Sequence, residues 1–240
     1  MAGGKTVIVT GASQGIGAAI VQMFLDGGYQ VVATARTMST AGFATSPNLV
    51  LVGGDIGQAA TAKEVAETAI KAFGTINHVV NNAGIFSTKA FTDYTAEDFQ
   101  AFVSTNLGGF LFVTQLAVKQ MLLQGTGGSV TSITASLADN PMADTHASVP
   151  MITKGGLNTI TRSLALEYAR NNIRFNAVAP GQVDTPLHRE TPKEIMRTLS
   201  PMGAIADAKD IAEAVVYLAE ARYITGEVLH VDGGAHVGRW

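Results

Sequence analysis

The chain of 240 residues contains no cysteine. Disulfide frameworks, zinc–thiolate sites, iron–sulfur clusters and cysteine nucleophiles are therefore excluded, and a reducing compartment is the natural expectation. Charged residues are scarce, at 15% against the ~25% usual for globular chains. The formal net charge is only −3, with no lysine/arginine block, which argues against a nucleic-acid partner. No run of about 18 apolar residues is present, so no membrane span is expected. The first residues, MAGGKTVIVT, lack the apolar core of a secretory leader. These absences together predict a cytoplasmic protein.

What is abundant is apolar: 47% of residues, with 26 glycines whose placement is more telling than their number. Surface scaling lets a chain of this size bury about 70% of its unfolded surface, so a large core needs no staples. β-Branched runs at 6–10, 30–34, 49–53, 76–81, 128–134, 173–179 and 227–231 read as strands. Their near-continuous hydrophobicity suits a parallel sheet covered on both faces. Helical patterns fall between them at 15–27, 58–73, 96–124, 149–170 and 208–219. Thr95 with Asp98 opens the third like a capping box, and Asp207 caps the last. Ser148 reads as the N-cap of the fourth and Pro150 as its first-turn proline. Thr37 to Asn48, rich in small polar residues, is expected to be a loop or one helical turn. The alternation predicts one α/β domain over 1–240: a Rossmann-type doubly wound parallel sheet of about seven strands, with helices on both faces.

The first strand runs into Thr10-Gly11-Ala12-Ser13-Gln14-Gly15-Ile16-Gly17, and a helix follows. Glycines at 11, 15 and 17 permit a tight turn and close approach to a pyrophosphate. The helix start then offers free N–H groups to the anion. Past the second strand the chain reads Ala35-Arg36-Thr37, with no carboxylate to accept from a ribose hydroxyl. Arg36 is instead suited to a 2′-phosphate, so NADP(H) is expected over NAD(H).

The segment Thr10–Gly17 resembles the glycine loop of the short-chain dehydrogenase/reductases, and other motifs agree in order. Asn81-Asn82-Ala83-Gly84, mid-helix Asn106, Pro180-Gly181-Gln182-Val183-Asp184-Thr185, Tyr223-Ile224-Thr225-Gly226 and Val231-Asp232-Gly233-Gly234 are each similar to a family segment. The resemblance implies further cofactor contacts. Ser13, Gln14 and Ile16 would lie along the phosphates; Asp55, with Ile56 beside it, would meet the adenine. Asn82, Ala83 and Gly84 would line the ribose side, and Lys154 would bond the nicotinamide ribose. Pro180, Gly181 and Val183 would lead to Thr185 at the carboxamide. It also implies pairing through the long helices as a dimer or tetramer.

The family's proton donor is a tyrosine four residues before the lysine. Here that lysine is Lys154, and four residues back stands Pro150, which has no ionisable proton. The substrate-binding serine falls on Ala135 counted forward from the strand and on Leu137 counted back from Lys154. Ser136 lies between them, with Thr134 the other hydroxyl nearby. His146, about one turn ahead of the helix, carries an imidazole and is a candidate acid/base, directly or through water. Asn106, Ser136, Lys154 and His146 therefore make up the candidate catalytic set. His78, His188, His230 and His236 form no metal-ligand spacing, so no metal is expected. The segment 186–201, with His188, Arg189, Lys193, Met196 and Arg197, is placed to cover a small-molecule pocket. Three functions stay open: an oxidoreductase with a non-standard proton relay, a silent NADP(H)-binding protein acting as sensor or subunit, or the same pocket used for different chemistry such as proton abstraction or elimination.

Overall fold

The computed structural model describes residues 4–38, 42–143 and 145–238. In chain order the elements are β1 (Thr6–Thr10), α1 (Gly15–Asp26), β2 (Gln30–Ala35), β3 (Leu49–Gly53), α2 (Ala59–Phe73), β4 (His78–Asn81) and α3 (Ala96–Phe102). A π-helical turn at Val103–Gly108 leads into α4 (Gly109–Gln124). Then come β5 (Gly128–Ile133), α5 (Ser148–Tyr168), β6 (Ile173–Pro180), β7 (Val183–Asp184), α6 (Lys193–Thr198), β8 (Ala206–Asp207), α7 (Ala208–Glu220) and β9 (Val228–Val231).

Seven strands form one parallel sheet in the order β3-β2-β1-β4-β5-β6-β9. β7 and β8 make a separate two-stranded ribbon. The sheet winds outward from β1 in one direction and from β4 in the other. The carboxyl ends of β1 and β4 therefore flank the crevice where doubly wound sheets bind ligands. One core lies under α1 and α7, around Ile20, Phe24, Ile211, Val215 and Leu218. Another lies under α2, α4 and α5, around Val65, Phe110, Val113, Leu157 and Phe175.

Both expected capping pairs form. Thr95 Oγ1 accepts from the Asp98 N–H while the Asp98 carboxylate accepts from the Thr95 N–H, and Asp207 with Asp210 does likewise. Two local expectations are corrected. The 96–124 run is not one α-helix, because the π turn interrupts it around Asn106. Ser148 is the first residue of α5, so the N-cap position falls on Ala147 and no side chain caps the helix. Pro150 is then the third helical residue, still within the turn whose N–H groups lack partners, so proline costs no hydrogen bond. The run 96–124 is long and apolar enough to cross a membrane by composition. Its buried face, from Phe110 to Met121, instead packs into the core under the sheet.

Candidate active site

β1 and β4 are clasped where they end. Thr10 Oγ1 accepts from the N–H groups of Asn82 (3.1 Å) and Ala83 (3.0 Å), and Asn82 Nδ2 donates to the carbonyls of Thr10 and Gly11 (both 3.0 Å). This clasp explains two of the glycines. A Cβ at Gly11, where φ is +65°, would stand 2.7 Å from Ala83 Cα, and one at Gly17 would stand 2.2 Å from the Gly11 carbonyl oxygen. Asn82 thus ties neighbouring strands together and shapes the loop's floor.

Helix α1 opens directly from this loop. Gln14 at its N-cap makes no capping bond, and no acidic residue sits in the first turn. The first-turn N–H groups are left to an outside acceptor, and the helix dipole favours an anion there. A dinucleotide pyrophosphate fits this cradle. Gln14 is exposed, while Ser13, Gly15 and Ile16 are half-buried at its rim. Arg36 is exposed just beyond β2, in the strand whose Thr34 pairs with Thr10. Asp55 follows β3, and its Oδ1 accepts from the Gly57 N–H at 3.0 Å. Ile56 is buried in the core, and a Cβ at Gly109 would press its Cγ2 at 2.9 Å.

On the other side, β6 ends at Pro180. Gly181 allows close packing, since a Cβ there would stand 2.8 Å from Asp232 Cα. Val183 is buried, and Thr185 lies over the glycine loop, its Cβ 3.2 Å from where a Gly15 side chain would begin. Segment 186–201 folds over this end as a short turn and α6, anchored by buried Met196. Lys193 pairs with Asp184, and Arg189 with Glu190, so part of this segment's positive charge is neutralised locally.

Between β4, β5 and α5 lies a polar cluster. Asn106, buried in the π turn, receives the Ile85 N–H on Oδ1 (2.8 Å) and donates from Nδ2 to Ile85 O (3.2 Å) and Thr153 Oγ1 (2.9 Å). Thr153 in turn donates to the Pro150 carbonyl at 2.8 Å. Nζ of buried Lys154 donates to the Ile133 carbonyl at 2.8 Å. Burial alone pushes this ammonium down to about 8. Exposed Gly84 closes the cluster: a Cβ there would lie 3.2 Å from Lys154 Nζ and 3.3 Å from Asn106 Oδ1.

Ser136 is buried in a short turn just after β5, near this cluster in the fold. Thr134 donates into the sheet, to Val178 O at 3.3 Å, which leaves Ser136 as the better hydroxyl for a ligand. The His146 side chain is exposed; its carbonyl accepts from the Lys89 N–H (2.9 Å) and from Tyr94 Oη (3.2 Å). Sequence reasoning did not single out Thr153. Its only signal is a hydroxyl one residue before Lys154, and its partner Asn106 is 47 positions away. Among the described residues no cluster of three or more His, Asp or Glu could hold a metal ion.

Comparison with known proteins agrees with this fold. A family model described as enoyl-(acyl carrier protein) reductase matches residues 11–236. The chain is 34% identical to L-rhamnose 1-dehydrogenase (NAD(P)(+)) of Azotobacter vinelandii, covering 97% of each chain. It is 36% identical to the NADP-dependent (R)-specific alcohol dehydrogenase of Lentilactobacillus kefiri, covering 96% of each. Among solved structures, 3-ketoacyl-(acyl-carrier-protein) reductase of Brucella melitensis complexed with NADH superposes with a TM-score of 0.91 at 29% identity. That match covers 97% of this chain and 98% of the other.

Proposed function

The chain belongs to the short-chain dehydrogenase/reductase family of nicotinamide-dependent oxidoreductases, and we propose that it interconverts a carbonyl and an alcohol with NADP(H), without a tyrosine in the proton relay. The observation that carries this reading is the buried cluster of Lys154, Asn106 and Thr153 set against the cradle at the start of α1. The dinucleotide, when bound, supplies or accepts the hydride.

The chain's own residues do the rest. N–H groups of the first turn of α1 hold the pyrophosphate, and the Gly11–Asn82–Ala83 clasp keeps their spacing rigid. Arg36 pairs its planar fork with a 2′-phosphate, which no carboxylate at this edge repels. Asp55 keeps one carboxylate oxygen for the adenine amino group, since Gly57 uses the other. Lys154 holds the nicotinamide ribose, and Thr185 holds the carboxamide above Gly15. Ser136 positions the substrate oxygen. Most of the rate then comes from orientation.

The outer sides of α4 and α5 pair copies of the chain into a homo-oligomer, on the support of their exposed apolar residues. NADPH consumption against aldehydes, ketones and aldoses, with NADPH and NADH binding followed by fluorescence, tests the functional reading. Carbonyl-dependent oxidation of NADPH is expected. Tight binding of NADPH with no turnover across the panel would favour a silent cofactor-binding protein and overturn it.

A further inference from the structure

When a carbonyl becomes an alcohol, its oxygen takes up one proton. The donor must reach that oxygen and be able to release the proton at working pH. Pro150, four residues before Lys154, carries no such proton. His146 stands in solvent, and Asp139 accepts from Asn158 Nδ2 at 2.8 Å. Lys154 is placed differently. One of its three N–H bonds points to Ile133 O. Exposed Gly84 puts only a hydrogen where a side chain would stand 3.2 Å from Nζ, so no side chain from that position covers the ammonium.

On the functional reading above, we propose that the Lys154 ammonium is itself the general acid, giving its proton directly to the carbonyl oxygen. In reduction, the carbonyl carbon gains a hydride with both electrons and the C=O π bond breaks. The oxygen gains the proton from Nζ. Lys154 is left as a neutral amine and regains one proton from water. Alcohol oxidation runs the same exchange backwards, with the neutral amine as base.

The surroundings suit that task. Burial holds the ammonium near 8, so it is charged at neutral pH yet releases its proton far more readily than a surface lysine. The groups facing it are neutral: the Ile133 carbonyl from β5, Gly84 from the loop after β4, and Asn106 Oδ1 nearby from the π turn. Charges on elements packed against α5 are engaged elsewhere or lie in solvent, as Glu97 of α3 and Arg170 after α5 do. Asp139 is held by Asn158, Asp98 of α3 by Lys89, and Arg174 of β6 by the carbonyls of Leu218 and Ala219.

Lys154→Arg separates the two jobs, because a guanidinium keeps the charge near the ribose but releases no proton. Its turnover is expected to fall by roughly 100-fold or more with NADPH affinity nearly kept. Wild-type carbonyl reduction should lose about tenfold per pH unit above a midpoint of about 8. In cofactor-free protein, ¹⁵N-lysine NMR should show one lysine titrating near 8, absent from the variant. Gly84→Ala, which sets a methyl beside Nζ, gives a second test should Lys154→Arg misfold. It should cut turnover by roughly tenfold or more, beyond any change in NADPH affinity. Variant turnover within about threefold of wild type, or a flat profile to about pH 10, would overturn the proposal. So would wild-type turnover with every lysine titrating at its ordinary value. No turnover by the wild type despite tight NADPH binding would instead bring down the functional reading, and this proposal with it.

Discussion

A methyl group at position 17 would sit 2.2 Å from the Gly11 carbonyl oxygen, closer than any carbon and oxygen pack without a bond. That oxygen is backbone and is also held by Asn82, so it has no room to yield. Gly17→Ala is therefore expected to open the clasp, weaken NADPH binding by roughly tenfold or more, and lower the melting temperature by several degrees. Fluorescence titration and thermal unfolding would check this. Arg36 acts through charge rather than shape. Arg36→Asp should reverse cofactor preference, because a carboxylate accepts from a 2′-hydroxyl and repels a 2′-phosphate; the ratio of NADPH to NADH dissociation constants reads it directly. Thr153→Val keeps volume but removes the hydroxyl that accepts from Asn106. The buried Asn106 amide would lose one of its two acceptors and keep Ile85 O, which should cost about 1 kcal/mol, felt as lower turnover with cofactor affinity nearly unchanged. The glycine loop could be read in the sequence because its constraint lies within eight consecutive residues, Thr10 to Gly17. Thr153 could not, because a mid-helix threonine resembles many others until the fold brings Asn106 to it.

Strands β1, β2, β4, β5 and β6 were legible because burial on both faces selects unbroken β-branched runs, and their ends fell within a residue or two of expectation. The π turn was not legible. Its residues, Val103-Ser-Thr-Asn-Leu-Gly108, keep helical hydrophobic spacing well enough to pass for an ordinary helix. Only tertiary contacts reveal it: Ile85 and Thr153 hold the Asn106 side chain, and Ile56 presses on Gly109. Strand β4 carries a second hidden feature at its opposite end. His78 is buried between β4 and α1, beside Phe24 and Tyr29, with Nδ1 2.8 Å from Ser129 Oγ and Nε2 without a partner. Burial pushes it down to about 4, below the unfolded value of 6.5. Between those values the unfolded chain binds a proton that the folded chain refuses. The contribution is therefore fully present above about pH 6.5, lost as pH falls, and constant again below about 4. The loss should approach ~3 kcal/mol over that window. Urea unfolding at several pH values should show it, and His78→Gln should flatten that part of the profile.

The whole molecule combines a charge content of 15% with two helices whose outer sides expose Leu111, Leu122, Leu123 and Leu166. The inner faces of α4 and α5 are used by the core, through Val113, Ala117, Leu157 and Ala165. Their outer sides form a groove lined by Phe110, Leu111, Val118, Leu122, Ile160 and Leu164, where Leu111 and Leu122 are each 41% exposed. Gln115, Lys119 and Glu167 edge the same groove, so its apolar floor carries a polar rim, as partner-binding surfaces do. A second copy is the occupant predicted here, because a two-fold axis would let each groove bury the other's leucines. The same helices carry Asn106 beside α4 and Lys154 on α5, so pairing would brace the elements that hold the polar cluster. Light scattering should find a dimer or tetramer. Leu111→Asp combined with Leu122→Asp should give a folded monomer by circular dichroism. Two charges forced into an apolar contact would cost several kcal/mol, while on a free surface they cost almost nothing. Turnover per chain should fall in that monomer if the interface steadies α5. An unchanged oligomer would place the contact on another face.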